Sequence, residues 1–263
     1  MFVGSLQLLS LFVSVSPSLA GLAPANTTSA LECRCGVRQA LTLPHANITD
    51  PEEAKRCASY KLIDARGTTE PQGVSSMFFP VIENILANKT GGVSLPVEYP
   101  AALNQNTTSG EEFVIDTITT GLLSCPQQTY ALFGYSQGAS LMLNVLARLN
   151  ARALEAVTSV ILVGNPYRVP GKMSNVDETA QHDSSSSVGW FAAQAIASNS
   201  SSTIPQLAPE VDRSRKVLDY CIEGDMVCAQ NPNCQCPIPA GHLSYGLVES
   251  VQKTAFEHVV GRL

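Results

Sequence analysis

Along residues 57–263 the apolar positions switch repeatedly between two spacings, and the switching predicts strands and helices in turn. Lys61 to Ala65 reads as a short strand that stops at Arg66-Gly67. After a turn at Pro71-Gln72-Gly73, Phe78, Val81, Ile82, Ile85 and Leu86 recur at helical spacing. Val93 to Tyr99 reads as the next strand, Glu111 to Leu123 as a helix, Thr129 to Phe133 as a strand and Ser140 to Leu149 as a helix. Ala156 to Val163 and Lys216 to Cys221 supply two further strands. The last helix, Leu247 to Val260, lines up Val248, Val251, Ala255 and Val259 as a core-facing stripe. Such alternation calls for an α/β fold, a parallel sheet covered by helices on both faces.

Three stretches depart from this pattern. Residues 1–20 carry no charged side chain, include the apolar run Leu6 to Val15 and finish in Ser18-Leu19-Ala20. They read as a secretory signal peptide cleaved after Ala20; the alternative, an uncleaved anchor, meets an apolar core too short to span comfortably. Residues 21–56 contain Pro24, Pro44 and Pro51 with little periodicity and read as an irregular, glycosylated leader, with order starting near Cys57. Residues 57–263 are expected to form a single catalytic domain. Within it, residues 165–213 are the least regular, with serine patches around Trp190 and Phe191. They are either a lid beside the active site or a solvated surface loop.

Composition narrows the class. Sixteen Lys and Arg against 22 Asp and Glu give a net charge of -6 with no basic run, which argues against a nucleic acid partner. No segment after residue 20 could cross a bilayer, so no transmembrane anchor is expected there. Sequons at Asn26, Asn47, Asn88, Asn106 and Asn199 agree with export, as do eight cysteines, an even number that can pair fully in an oxidising compartment. The expected location is extracellular.

The candidate chemistry centres on Gly134-Tyr135-Ser136-Gln137-Gly138, placed where a strand-like run meets a helix-like run. A serine that attacks a carbonyl must project from such a turn, and flanking glycines remove side chains that would clash there. A serine hydroxyl also needs a histidine to take its proton and an acid to orient that histidine. Among four histidines, His45 lies in the leader, His182 in the irregular stretch and His258 near a helix end with an expected surface role, which leaves His242 in Gly241 to Gly246. Asp225 follows a strand and precedes His242, within Cys221 to Cys228, where a local disulfide would restrict it; Glu223 is the second choice and Asp219 reads as part of the strand. Each residue also has a plainer role open to it: Ser136 as a helix cap, His242 and Asp225 as turn residues.

Four stretches, Asp64 to Glu70, Gly134 to Gly138, Cys221 to Cys228 and Gly241 to Gly246, resemble the cutinase family, secreted serine esterases that include cutinases and related acetylxylan esterases. The resemblance implies a three-layer α/β sandwich with a central, mostly parallel five-stranded sheet, a monomer, and no obligatory cofactor or metal. It implies Ser136 as nucleophile, His242 as general base and acid, and Asp225 as its orienting carboxylate. Thr68 and the backbone N–H of Gln137 would form the oxyanion hole, and Cys57–Cys125 and Cys221–Cys228 the disulfides. Met226, Val227 and Leu243 are candidate substrate-binding walls, and equally candidate core residues. The implied activity is hydrolysis of cutin or other apolar short-to-medium-chain esters, with acetylxylan deacetylation as the alternative and a non-catalytic cysteine-rich surface protein as the rival class. Cys33, Cys35, Cys234 and Cys236 are additional; they are expected to staple the leader to the catalytic region rather than bind zinc.

Overall fold

The computed structural model describes residues 47–231, 236 and 239–263, all within one compact unit, Cys33–Leu263. Its strands are β1 (Tyr60–Ala65), β2 (Gly92–Pro96), β3 (Thr129–Tyr135), β4 (Val157–Val163), β5 (Asn175–Val176) and β6 (Val217–Tyr220). They form one sheet in the order β2-β1-β3-β4-β6-β5, and every pairing is parallel. The expected five strands are present. The sixth, β5, is a two-residue addition at the edge, contributed by the stretch expected to be irregular.

Parallel strands need crossover connections, and helices provide them: α1 (Pro51–Ala54), α2 (Phe79–Asn88), α3 (Thr108–Ser124), α4 (Gln137–Arg148), α5 (Ala151–Ala156), α6 (Trp190–Ala197), α7 (Pro209–Arg213) and α8 (Glu249–Val260). Side chains along each strand alternate between two buried clusters. Ile63, Ala65, Leu132, Val160, Leu162 and Val217 face α3, α4, α5 and α7, where Val114, Ile118, Leu141, Ala153 and Val211 meet them. Leu62, Phe133, Ile161, Val163 and Tyr220 face α2 and α8, through Val81, Ile82, Ile85, Val251, Ala255 and Val259. Both faces of every central strand are therefore apolar, which is why these strands read as continuous hydrophobic runs. The three layers hold the carboxyl ends of β1, β3, β4 and β6 side by side, and each is followed by a loop of the candidate site.

Order starts before Cys57. Asp50 caps α1 by accepting the N–H groups of Glu52 and Glu53, Thr49 Oγ1 accepts from Ser94 N–H on edge strand β2, and Ile48 packs on the second cluster. A short cap and one apolar anchor carry too weak a period to be read in sequence. Residues 165–213 are also more regular than expected. They contain β5, α6 and α7, and a small third cluster of Ala192, Ala195 and Ile204 packs with Tyr167, Val169 and Val188. Buried Arg168 holds the stretch together by binding the carboxylate of Asp183 at 2.8 Å and ties it to the sheet through the backbone carbonyl of Asp219 on β6.

Both expected bridges are formed: Cys57–Cys125 and Cys221–Cys228 each hold their Cα atoms 5.8 Å apart. Cys236 is disulfide-bonded, while Cys33, Cys35 and Cys234 lie outside the described residues, as do His45, Asn26 and the expected signal peptide. Among the described residues no helix is long and apolar enough to cross a membrane.

Candidate active site

β3 ends at Tyr135 and α4 begins at Gln137, so Ser136 makes the turn between them. Its φ of 53° lies where side chains are disfavoured, so the surroundings must hold it there. They do so by close backbone approach. A Cβ on Gly134 would stand 2.6 Å from the carbonyl oxygen of Gly138, and one on Gly138 would press into the Ala65 carbonyl of β1. The N–H of Ser136 donates to the Val163 carbonyl at 3.0 Å, which fixes the turn against β4.

His242 sits in a single 3₁₀ turn, Gly241–Leu243. Its Nε2 is 2.9 Å from Ser136 Oγ, and its Nδ1 is 3.0 Å from both carboxylate oxygens of Asp225. Residues separated by 106 and 17 positions in the chain thus meet at one rim of the sheet. Two neighbours bear on the imidazole. Tyr135 stacks at a tilt with ring centroids 5.0 Å apart and donates its hydroxyl to the His242 carbonyl at 2.9 Å. Gly164, with φ of 62°, lies so near that a Cβ would be 2.7 Å from His242 Cε1.

Asp225 is buried and fully engaged. Besides His242, its Oδ2 accepts the Tyr245 hydroxyl at 2.6 Å and its Oδ1 accepts the Val227 N–H at 2.8 Å. Burial alone would push the carboxyl up, but the charge and hydrogen bond of His242, with the bonds from Tyr245 and Val227, outweigh it and hold the group below the ordinary carboxylate range. Asp225 therefore stays ionised and faces Nδ1, an arrangement that leaves Nε2 in hydrogen-bond reach of the Ser136 hydroxyl.

Next to Ser136 in the chain, Gln137 meets Thr68: Thr68 Oγ1 lies 3.5 Å from Gln137 Oε1. As the first residue of α4, Gln137 has a backbone N–H with no acceptor inside the helix. The Thr68 loop is held at both ends. Arg66 donates to the carbonyls of Glu70, Val97 and Tyr99, with its guanidinium 4.8 Å from the Tyr99 ring centroid. The Glu70 carboxylate accepts from Gly67 N–H, both Ser75 and Ser76 hydroxyls and the Ser76 N–H, at 2.6 to 3.0 Å. Gln105 donates its side-chain amide to Thr68 Oγ1 at 3.0 Å, and Gln137 donates its own to the Ala102 carbonyl at 3.0 Å. The loop of residues 100–107 is thereby fastened to this side of the site.

The remaining candidates separate cleanly. Met226, Val227 and Leu243 are half-buried and belong to none of the three apolar clusters, so they flank the acid and the imidazole rather than fill the core. Glu223 is exposed, and Asp219 is occupied by Asn165 and Arg168 in the sheet. His182 Nδ1 pairs with the Asn175 carbonyl. His258 is partly buried with Nε2 on the Lys216 carbonyl, a packed position rather than the expected surface role. Four contributors lacked a stated role in sequence: Tyr135, Tyr245, Glu70 and Gln105. The first three lie inside the stretches that carry the resemblance, but side-chain bonds spanning up to 107 positions leave no periodic trace.

A model of the family described as Cutinase matches residues 56–263. A cutinase of Botryotinia fuckeliana is 30% identical over 137 residues, 48% of this chain and 68% of that protein. Acetylxylan esterase 2 of Talaromyces purpureogenus is 22% identical over 228 residues, 78% of this chain and 87% of that protein. Among solved structures, a cutinase-like protein from Cryptococcus sp. superposes with a TM-score of 0.66 at 34% identity, covering 77% of this chain and 94% of the other. The catalytic core of acetyl xylan esterase from Trichoderma reesei shares the fold at 23% identity, with a TM-score of 0.61 over 79% of this chain and all of that one.

Proposed function

The chain belongs to the cutinase family and is a carboxylic-ester hydrolase, and we propose that it is a secreted serine esterase working through an acyl-enzyme. The observation that carries the mechanism is the continuous line Ser136 Oγ, His242 Nε2, His242 Nδ1, Asp225, with both gaps near 3 Å. Ser136 Oγ attacks the ester carbonyl while its proton passes to His242 Nε2, and the ionised Asp225 stabilises the imidazolium that results. The negative oxygen receives the Thr68 hydroxyl and the Gln137 N–H. As the tetrahedral species collapses, the ester C–O bond breaks and His242 returns the proton to the departing alcohol. Water then repeats the sequence on the acyl-enzyme and frees the acid.

Apolar esters fit the surroundings best. Met226, Val227 and Leu243 stand half-buried beside the acid and the base, outside the core clusters, and offer apolar contact to an acyl chain. Cutin and short-to-medium-chain lipid esters share that chemistry. The likeness to an acetylxylan esterase over most of the chain favours a second reading, removal of acetyl groups from a polysaccharide. Rates on a chain-length series of p-nitrophenyl esters, compared with acetylated xylan, separate the two. Secretion is supported by the uncharged apolar residues 1–20, the disulfides, and the exposure of Asn47, Asn88, Asn106 and Asn199.

Ser136→Ala tests the mechanism: hydrolysis of p-nitrophenyl butyrate should fall by at least about a thousandfold, and an unchanged rate would exclude it.

A further inference from the structure

The 100–107 loop is bonded to Thr68 and Gln137 through Gln105 and the Ala102 carbonyl, and it also carries the sequon Asn106-Thr107-Thr108. Its side chains alternate in direction. Gln105 turns inward to Thr68 Oγ1, and Thr107 is buried with its hydroxyl on Glu111 at 2.6 Å. Asn106, between them, is exposed, as are Leu103 and Asn104. Its Oδ1 accepts the Thr108 N–H at 3.1 Å, and an N-glycosidic linkage leaves that oxygen a carbonyl. The sequons at Asn47 and Asn88 lie on other elements: Asn47 precedes the segment against edge strand β2, and Asn88 is the last residue of α2.

We infer that Asn106 carries an N-linked glycan, and that this glycan stands at the oxyanion-side mouth of the active site as a size filter. The modification transfers an oligosaccharide from a lipid-linked diphosphate donor. The bond from Asn106 Nδ2 to the sugar C1 forms as the C1–O bond to the diphosphate breaks; Nδ2 loses one proton and the lipid diphosphate leaves with the bonding electrons. A branched, hydrated group on this loop leaves the path to Ser136 open for a small soluble ester. It opposes close approach of a flat polymer surface, because that surface must meet the whole rim at once. The acyl-enzyme chemistry is untouched, so the filter acts on the physical form of the substrate. The inference rests on the reading of the chain as an exported esterase.

The test uses the full chain secreted from a glycosylating eukaryotic host. Peptide mass spectrometry reads occupancy at each sequon, and kcat/KM is measured on soluble p-nitrophenyl butyrate and on an insoluble aliphatic polyester. Two variants remove the glycan independently, Asn106→Gln and Thr108→Ala, with Asn88→Gln as control. We expect Asn106 to be occupied. Loss of its glycan should raise the rate on the polyester at least about threefold while the soluble ester stays within about twofold, with Asn88→Gln changing neither. An unmodified Asn106 in a chain glycosylated at other sequons overturns the inference and leaves export standing, as does an occupied Asn106 whose loss changes both substrates equally or neither. Glycan absent from every site, or no hydrolysis of the soluble ester, instead strikes the underlying reading.

Discussion

Tyr245 donates its hydroxyl to Asp225 Oδ2 at 2.6 Å, the same oxygen that faces His242 Nδ1 at 3.0 Å. One carboxylate thus serves a tyrosine and the imidazole together, and the tyrosine is itself wholly buried. Tyr245→Phe removes that donor and leaves the ring. A hydrogen bond to a charged group is worth about 1.5–3 kcal/mol, so the variant should lose stability of that order near pH 7. The ordinary Asp225 pKa is depressed by its partners, so its contribution is present above the unfolded-state value and lost as pH falls through the folded one. Thermal melts of the two proteins should therefore differ most at neutral pH and converge in acid. Equal melting temperatures at pH 7 would mean that the Tyr245 bond contributes nothing.

Gly164 follows β4 with φ of 62°, and its Cα hydrogens face the edge of His242. Alanine there would bring a methyl group to 2.7 Å from Cε1 and would strain the backbone as well. The imidazole must then shift from the line joining Ser136 and Asp225. A misplacement near 1 Å costs about a hundredfold in rate. Gly164→Ala should lower kcat by about that factor with KM little changed, and kinetics at or near wild-type would show that the ring is not held there.

Thr68 offers a side-chain hydroxyl where Gln137 offers a backbone N–H, so only the first can be removed by substitution. Thr68→Val keeps the shape and deletes the hydroxyl, and should reduce kcat by about 10²–10³-fold, the loss seen for a single oxyanion donor. Thr68→Ser retains the donor and should recover most of the rate. If valine and serine variants behaved alike, the hydroxyl would have no part in stabilising the oxyanion.

Strands and long helices were readable because both faces of the sheet are buried and each layer leaves a clear period: the observed β1, β3, β4 and β6 fall within a residue or two of expectation, while β2 stops at Pro96, three residues short of the expected Tyr99. The meeting of Ser136, Asp225 and His242 was legible because loops after strands combine with short chemical strings. What escaped was structure set by single contacts. The α1 cap at Asp50, the two-residue β5 and the small cluster around Ala192 depend on partners distant in sequence, so neither period nor composition reports them. Tyr245 and Glu70 escaped for the same reason: their function is a geometric relation to another loop. The fourth bonded position, Gln105, sits beside the Asn106 sequon in a loop where no catalytic motif marks it.

Two groups, one buried and one partly buried, should pull stability in opposite directions with pH. Asp64, at the end of β1, is pushed up to about 7 by burial, with the charge of Glu70 adding and the Ser75 N–H and Arg66 opposing. Its Oδ1 has no hydrogen-bond partner among the described residues, so ionisation is poorly compensated. The fold therefore binds this proton more tightly than the unfolded chain, whose value is near 3.8, and stability is lost as pH rises between the two. His258 behaves inversely. Burial, helped by Arg262 and opposed by the bond to the Lys216 carbonyl, lowers it to about 4, so the fold prefers it neutral and stability is lost as pH falls from about 6.5 towards 4. Asp64→Asn fixes the neutral form and preserves an acceptor for Ser75. It should stabilise the protein by about 2–4 kcal/mol at pH 8 and by little at pH 4, the difference implied by a shift of this size. His258→Gln should do the reverse, gaining in the acid arm and nothing above pH 7. Urea titrations of the three proteins at pH 4, 6 and 8 read both effects. An Asp64→Asn gain that is the same at every pH would show that Asp64 titrates alike in the folded and unfolded chain.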